Sequence, residues 1–145
     1  MNKIFVLDAC SLIALLTNED GSDAVKGLLH KATDNEIKIF MHKINFLEVY
    51  YYIYKRYNEK VALKLLEDIK TMPVKINSEI SDDIFQKAGR LKSLYKMSLA
   101  DSIGLAEAII ANGYFVTADH HELDIVQEKE KLNIIWIKEK INNKR

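Results

Sequence analysis

The sequence predicts an α/β fold built on a mainly parallel sheet with helices over both faces. Three observations carry that expectation. Short apolar runs alternate with segments of helical period along the whole chain. The runs, such as Ile4-Phe5-Val6-Leu7 and Tyr114-Phe115-Val116, are apolar at consecutive positions, as in strands buried on both sides. At 145 residues, 48% hydrophobic and 29% charged, the chain has the size and composition of one globular domain, residues 1–145.

Taken in order, Lys3–Leu7 reads as the first strand, and a short helix follows from about Cys10 to Thr17. Asn18-Glu19-Asp20-Gly21 is a turn, with Ser22 as the expected cap of a helix running to about Ala32. Ile37–Met41 is the second strand. Ile44–Tyr57 and Glu59–Met72 have the period of two successive helices, broken near Asn58. Pro73, the only proline, stops the second and leads into a short strand, Val74–Ile76. Ile80–Tyr95 is helical, and a further helix starts after Ser98 and ends near Asn112-Gly113, where glycine suits a C-cap. Tyr114–Thr117 is a strand, His120–Lys131 a helix and Ile134–Ile137 the last strand.

Composition narrows the class only slightly. The 21 basic and 21 acidic side chains balance, so no basic footprint announces a nucleic-acid partner. An acidic pocket with a basic rim would give the same sum. The single cysteine, Cys10, excludes an internal disulfide and suits a reducing compartment. Asp8 interrupts the N-terminal apolar stretch too early for a secretory signal, and no run approaches the ~20 apolar residues of a membrane span. A cytoplasmic protein without a membrane partner is expected.

Four carboxylates stand where a carboxylate is awkward or conspicuous. Asp8 ends the first apolar run, Glu48 is the only charge between Ile44 and Tyr54, Asp101 lies in Leu99-Ala100-Asp101-Ser102-Ile103, and Asp119 follows Thr117-Ala118. Three have a purely structural explanation. Asp8 can cap the helix after it, Ser98-x-x-Asp101 is a capping box, and Asp119-x-x-Glu122 repeats that pattern. Glu48 has none: it sits among residues that favour burial, with Tyr52 rather than a base at i+4. An exposed stripe with Tyr52 and Lys55 is the alternative. Otherwise Glu48 points into a shared acidic pocket, and Asp8 and Asp119 fall at carboxyl ends of strands, where parallel sheets bind ligands. Mutual repulsion among such groups is usually offset by a hard divalent cation with oxygen ligands.

That ordered set (Asp after the first strand, Glu in a mid-chain helix, Leu-Ala-Asp-Ser-Ile opening a later helix, Thr-Ala-Asp after a late strand) resembles the PIN-domain nucleases over the whole chain. In size it is similar to the VapC-type toxins of toxin–antitoxin pairs. The resemblance implies a three-layer α/β/α fold with about five strands and a Mg²⁺- or Mn²⁺-dependent endoribonuclease. Its catalytic and metal-binding residues would be Asp8, Glu48, Asp101 and Asp119. Asp8 and Asp101 would be direct ligands, Asp119 would complete a metal position, and Glu48 would hold the attacking water or take its proton. RNA as substrate, a small antitoxin and a homodimer follow as expected partners.

Two departures bear on the site. Many relatives carry Thr or Ser directly after the first aspartate, whereas this chain reads Ala9-Cys10-Ser11, leaving Ser11 to offer a hydroxyl or amide. After Asp119 it reads His120-His121-Glu122-Leu123-Asp124, which leaves open a contribution from Glu122 or Asp124. The adjacent histidines lack the companions of a transition-metal motif and suit a surface or supporting role. Cys10 is expected to be a small buried residue. Basic residues available to grip RNA are Lys43, Lys55, Arg56, Arg90, Lys92, Lys96, Lys138, Lys140, Lys144 and Arg145. The aromatic segment Phe46 to Tyr57 suits dimer or antitoxin packing, with base stacking as the other use.

Other classes fit less well. A receiver domain needs paired acids after its first strand, and a haloacid-dehalogenase-type phosphatase needs Asp-x-Asp where this chain has Asp8-Ala9-Cys10. The alternatives kept are a PIN-fold nuclease acting in RNA processing or on DNA, and a catalytically silent binding module.

Overall fold

A computed structural model describes residues 2–140. Its centre is a sheet of five parallel strands, β1 (Lys3–Leu7), β2 (Ile37–His42), β3 (Lys75–Asn77), β4 (Tyr114–Thr117) and β5 (Ile134–Trp136), in the order β3-β2-β1-β4-β5. The order reverses at β1, so the chain winds outward first one way and then the other. The helices are α1 (Ala9–Leu16), α2 (Ser22–Thr33), α3 (Lys43–Arg56), α4 (Glu59–Asp68), α5 (Asp82–Leu94), α6 (Leu99–Ile110) and α7 (His120–Glu130).

Strand alternation divides the core between two faces. Phe5, Leu7, Ile39, Met41 and Val116 point to one side, where Leu12, Val25, Val49, Ile53 and Leu65 from α1–α4 cover them. Val6 and Phe115 point to the other, against Leu91, Leu105, Leu123 and Val126 from α5–α7. The result is the expected three-layer α/β/α arrangement.

The sequence boundaries hold to within a few residues, and the differences have local causes. Ser22 is not the cap of α2: Gly21 occupies that position with φ +94°, a left-handed conformation that glycine adopts freely, and Ser22 is buried inside the helix. The stretch expected to be helical to Met72 leaves α-geometry at Ile69 and closes with a 3₁₀ turn, Ile69–Thr71, before Pro73. At the end of α6 the left-handed residue is Asn112, at φ +52°, not Gly113. Gly113 is required for another reason: a Cβ there would lie 2.6 Å from the Ile4 carbonyl oxygen of β1.

Candidate active site

Four loops at the carboxyl ends of β1, β2 and β4 and at the start of α6 bring acids together. A cavity of about 290 Å³ is lined by Glu48, Asp101, Asp119 and Glu122 together with Cys10, Ile13, Tyr51, Tyr52 and Ser98, and among the described residues no Lys or Arg takes part. One oxygen from each of Asp101, Asp119 and Glu122 lies within 4.8 Å of the other two. An all-oxygen donor set without a compensating cation fits a hard divalent ion, which one such cluster and a few waters can coordinate. The residues present therefore fit the metal that the resemblance implies.

Asp8 lies next to the Ala9–Cys10 wall and is fully buried. It caps α1, with Oδ1 accepting from the Ser11 amide at 2.8 Å, while Oδ2 accepts from Thr117 Oγ1 at 2.5 Å. Burial nevertheless lifts its pKa to about 6, against the lowering effect of those hydrogen bonds. Ser11 Oγ donates to the Val116 carbonyl at 2.9 Å, and both the amide and the side chain of Ser11 favour the charged form of Asp8.

Asp101 shows the strongest electrostatic strain. Burial first, then the charge of Asp8 and the neighbouring Glu122 and Asp119, push its pKa to about 8. Its capping box is only half used. Ser98 Oγ accepts from the Asp101 amide at 3.1 Å, but the Ser98 amide points at Glu122 Oε2, 3.4 Å away, rather than at Asp101. Glu122 thus takes the capping contact and leaves the Asp101 carboxylate facing the other acids. Asp119 is likewise a cap, its Oδ1 accepting from the Glu122 amide at 3.2 Å, with its own amide held by Thr117 Oγ1 at 3.0 Å.

Glu48 is half-buried and faces this cavity rather than the solvent stripe. Burial raises its pKa, the Tyr51 hydroxyl donating at 3.3 Å lowers it, and repulsion from Glu122 raises it again. Of the four acids singled out in the sequence, Glu48, Asp101 and Asp119 share the cavity and Asp8 adjoins it. Glu122, which the sequence only left open, is the additional member. Asp124 is not: it accepts from His120 Nδ1 at 2.8 Å and pairs with Lys140 at 2.9 Å, pointing away. His120 in turn stacks on Trp136 and reaches the Lys138 carbonyl through Nε2 at 2.9 Å, a supporting role.

One expectation changes here. Cys10 is exposed, not buried, because Ala9, Ser11 and Leu12 take the inward positions of α1. Its pKa is pushed up to about 12, by desolvation against the cavity wall and then by Asp8, Asp101, Asp119 and Glu48, so the thiol stays protonated. Among the described residues no basic candidate lines the cavity, which leaves them to flank it. Arg90 is paired with Glu130 at 2.6 Å and Lys140 with Asp124, while Lys144 and Arg145 lie outside the described residues.

The PIN domain family matches residues 5–129, a span that contains all five acids. The chain belongs to the PIN domain family. Solved PIN-like structures superpose on most of its length: a toxin–antitoxin complex from Klebsiella pneumoniae, with 20% identity over 93% of this chain and 98% of that one (TM-score 0.65); DNA-bound VapBC from Salmonella typhimurium, with 14% identity over 95% and 100% (TM-score 0.70); and a sarcin–ricin-loop-cleaving VapC toxin of Mycobacterium tuberculosis, with 11% identity over 81% and 91% (TM-score 0.64). At these identities the likeness establishes the PIN fold. No curated protein matches the sequence. Within the described residues of this PIN domain, no helix is long and apolar enough to cross a membrane.

Proposed function

We propose that the chain is a Mg²⁺- or Mn²⁺-dependent endoribonuclease, acting as the toxin of a cytoplasmic toxin–antitoxin pair and folded as a single domain. The observation that carries this reading is the cavity where Glu48, Asp101, Asp119 and Glu122 converge with no basic residue beside them among the described residues. Asp101, Asp119 and Glu122 would hold the ion. When bound, it would supply Lewis-acid stabilisation of the phosphodiester and lower the pKa of water. The charge of Asp8 raises the Asp101 pKa, a repulsion that the ion would relieve, and Asp8 anchors the start of α1 through Ser11 and Thr117. Glu48, half-buried and raised in pKa, is suited to orient the attacking water and accept its proton. The cavity wall offers no histidine, and Cys10 stays protonated, so the chain's own residues favour direct attack by water over a covalent intermediate.

RNA as substrate is supported by the M. tuberculosis neighbour, a toxin described as cleaving the sarcin–ricin loop, and an antitoxin partner by the Klebsiella and Salmonella complexes. Exposed Leu47 and Tyr54 on α3, with Val61 and Leu63 on α4, offer apolar surface to such a partner or to a second copy in a homodimer. The test is cleavage of end-labelled RNA with and without Mg²⁺ or Mn²⁺, in wild type and Asp8→Asn, with single-stranded DNA in parallel. Metal-dependent RNA cleavage lost in the variant is expected. Cleavage that survives Asp8→Asn, or activity confined to DNA, would overturn the assignment.

A further inference from the structure

His42 caps α3, its Nδ1 accepting from the Ile44 amide at 3.2 Å, so Asn45 in the same turn is not needed as a cap. Asn45 is nevertheless completely buried, and its Nδ2 donates to the Ala100 carbonyl, in the first turn of α6, at 3.1 Å. The approach depends on Gly104, where a Cβ would lie 2.8 Å from Asn45 Nδ2. Asn45 Oδ1 is buried with no partner. For stability alone an apolar side chain of similar volume would serve as well, because an orphaned acceptor offsets what the single N–H bond contributes. What asparagine adds is direction.

The two helices so joined each carry an acid of the catalytic cavity. Glu48 lies one turn beyond Asn45 on the same face of α3, and Asp101 follows Ala100 directly. Glu48 has no hydrogen bond to α6 among the described residues; its partner is Tyr51, on its own helix. Ile44 packs on the cluster of Ile84, Ala88, Ile103 and Ala106, but apolar contact is non-directional and lets helices slide. The Asn45–Ala100 bond is the directional link that sets how far the Glu48 carboxylate stands from Asp101. Resting on the metal-dependent cleavage proposed above, we propose that Asn45 is a positioning residue, holding Glu48 in register with the ion site through the Ala100 carbonyl.

Asn45→Leu, close in volume but without the donor, separates this role from packing. Terbium(III), a hard cation suited to the carboxylates and excited through Tyr51 and Tyr52 of the cavity wall, reports the distance from α3 to the ion without RNA. The folded variant should show kcat for RNA cleavage lowered at least roughly tenfold, as a misplaced catalytic group entails, with KM and Mn²⁺ affinity within about threefold of wild type. Terbium emission at saturation should weaken. Lost packing would instead lower ion affinity and turnover together. Gly104→Ala, which keeps the amide but crowds it from the carbonyl, should reproduce the split. In metal-free wild type the Asn45 side-chain N–H should exchange with solvent far more slowly than an exposed amide, a readout that needs no variant. Wild-type kcat and emission in either folded variant, loss of ion affinity in step with turnover, or rapid exchange would overturn the proposal. A wild type that binds no ion would overturn both this role and the metal-dependent assignment. One that binds terbium but leaves RNA intact would sink the RNA assignment alone, with emission and exchange still deciding for Asn45.

Discussion

Thr117 Oγ1 donates to Asp8 Oδ2 at 2.5 Å, joining residues 109 positions apart at the adjacent ends of β4 and β1. The same hydroxyl oxygen accepts the Asp119 amide at 3.0 Å. One threonine therefore fixes two of the acids relative to each other, and it does so from a strand buried on both faces. Thr117→Val should cost about 1–3 kcal/mol of stability, because a buried carboxylate loses a donor. Urea unfolding of the metal-free protein measures it, and a change within error would show that Asp8 does not depend on this contact.

The pH dependence of metal-free stability follows from Asp8 and Asp101. In the folded protein they keep their protons up to about pH 6 and about pH 8, whereas the ordinary aspartate value is 3.8. Between about pH 4 and pH 8 the folded state thus binds more protons than the unfolded chain, and stability falls as pH rises. The loss is absent below the unfolded value and complete above the folded one. Thermal unfolding should show a Tm that declines from pH 5 to pH 8, and added Mn²⁺ should restore more at pH 8 than at pH 5, with proton release on binding. A Tm that rises with pH across this window would mean the acids are not desolvated together.

Glu122 and Asp124 are both acids of α7, yet only Glu122 lines the cavity. Glu122→Gln should weaken Mn²⁺ binding by at least roughly tenfold, the lower end of what loss of an outer-shell group costs. Asp124→Asn should leave binding unchanged while loosening the contact with His120. Calorimetric titration of both variants decides the matter; the reverse ranking would place the ion elsewhere.

Cys10 provides a negative expectation. With its pKa near 12, the thiol should react with iodoacetamide at pH 8 far more slowly than free cysteine despite being exposed. Cys10→Ala should leave RNA cleavage within about twofold, the scale of an ordinary surface change. Rapid alkylation or loss of activity would give the thiol a part that the geometry does not.

Most of the architecture was readable because parallel strands buried on both sides leave unmistakable apolar runs. Glu48 was readable for the opposite reason: nothing local accounts for it. Glu122 was harder, since Asp119-x-x-Glu122 is already satisfied as a capping pattern. Only the fold reveals that its carboxylate turns to the Ser98 amide 24 residues back. Cys10 was misplaced because composition favours burial of cysteine, whereas the choice of inward face in α1 depends on how that helix sits on the sheet. Asn112 and Gly113 exchanged expected parts for a tertiary reason, the approach of Gly113 to the Ile4 carbonyl oxygen. Short-range patterns specify elements; which of two eligible neighbours faces a site is decided by contacts from elsewhere in the chain.

The most direct measurement is Mn²⁺ binding to the wild-type protein and to Asp101→Asn at neutral pH, followed by water-proton relaxation. Saturable binding by the wild type, weakened at least roughly tenfold by the substitution, is the predicted result. No binding by the wild type, or equal binding by both proteins, would contradict a shared metal site among these acids.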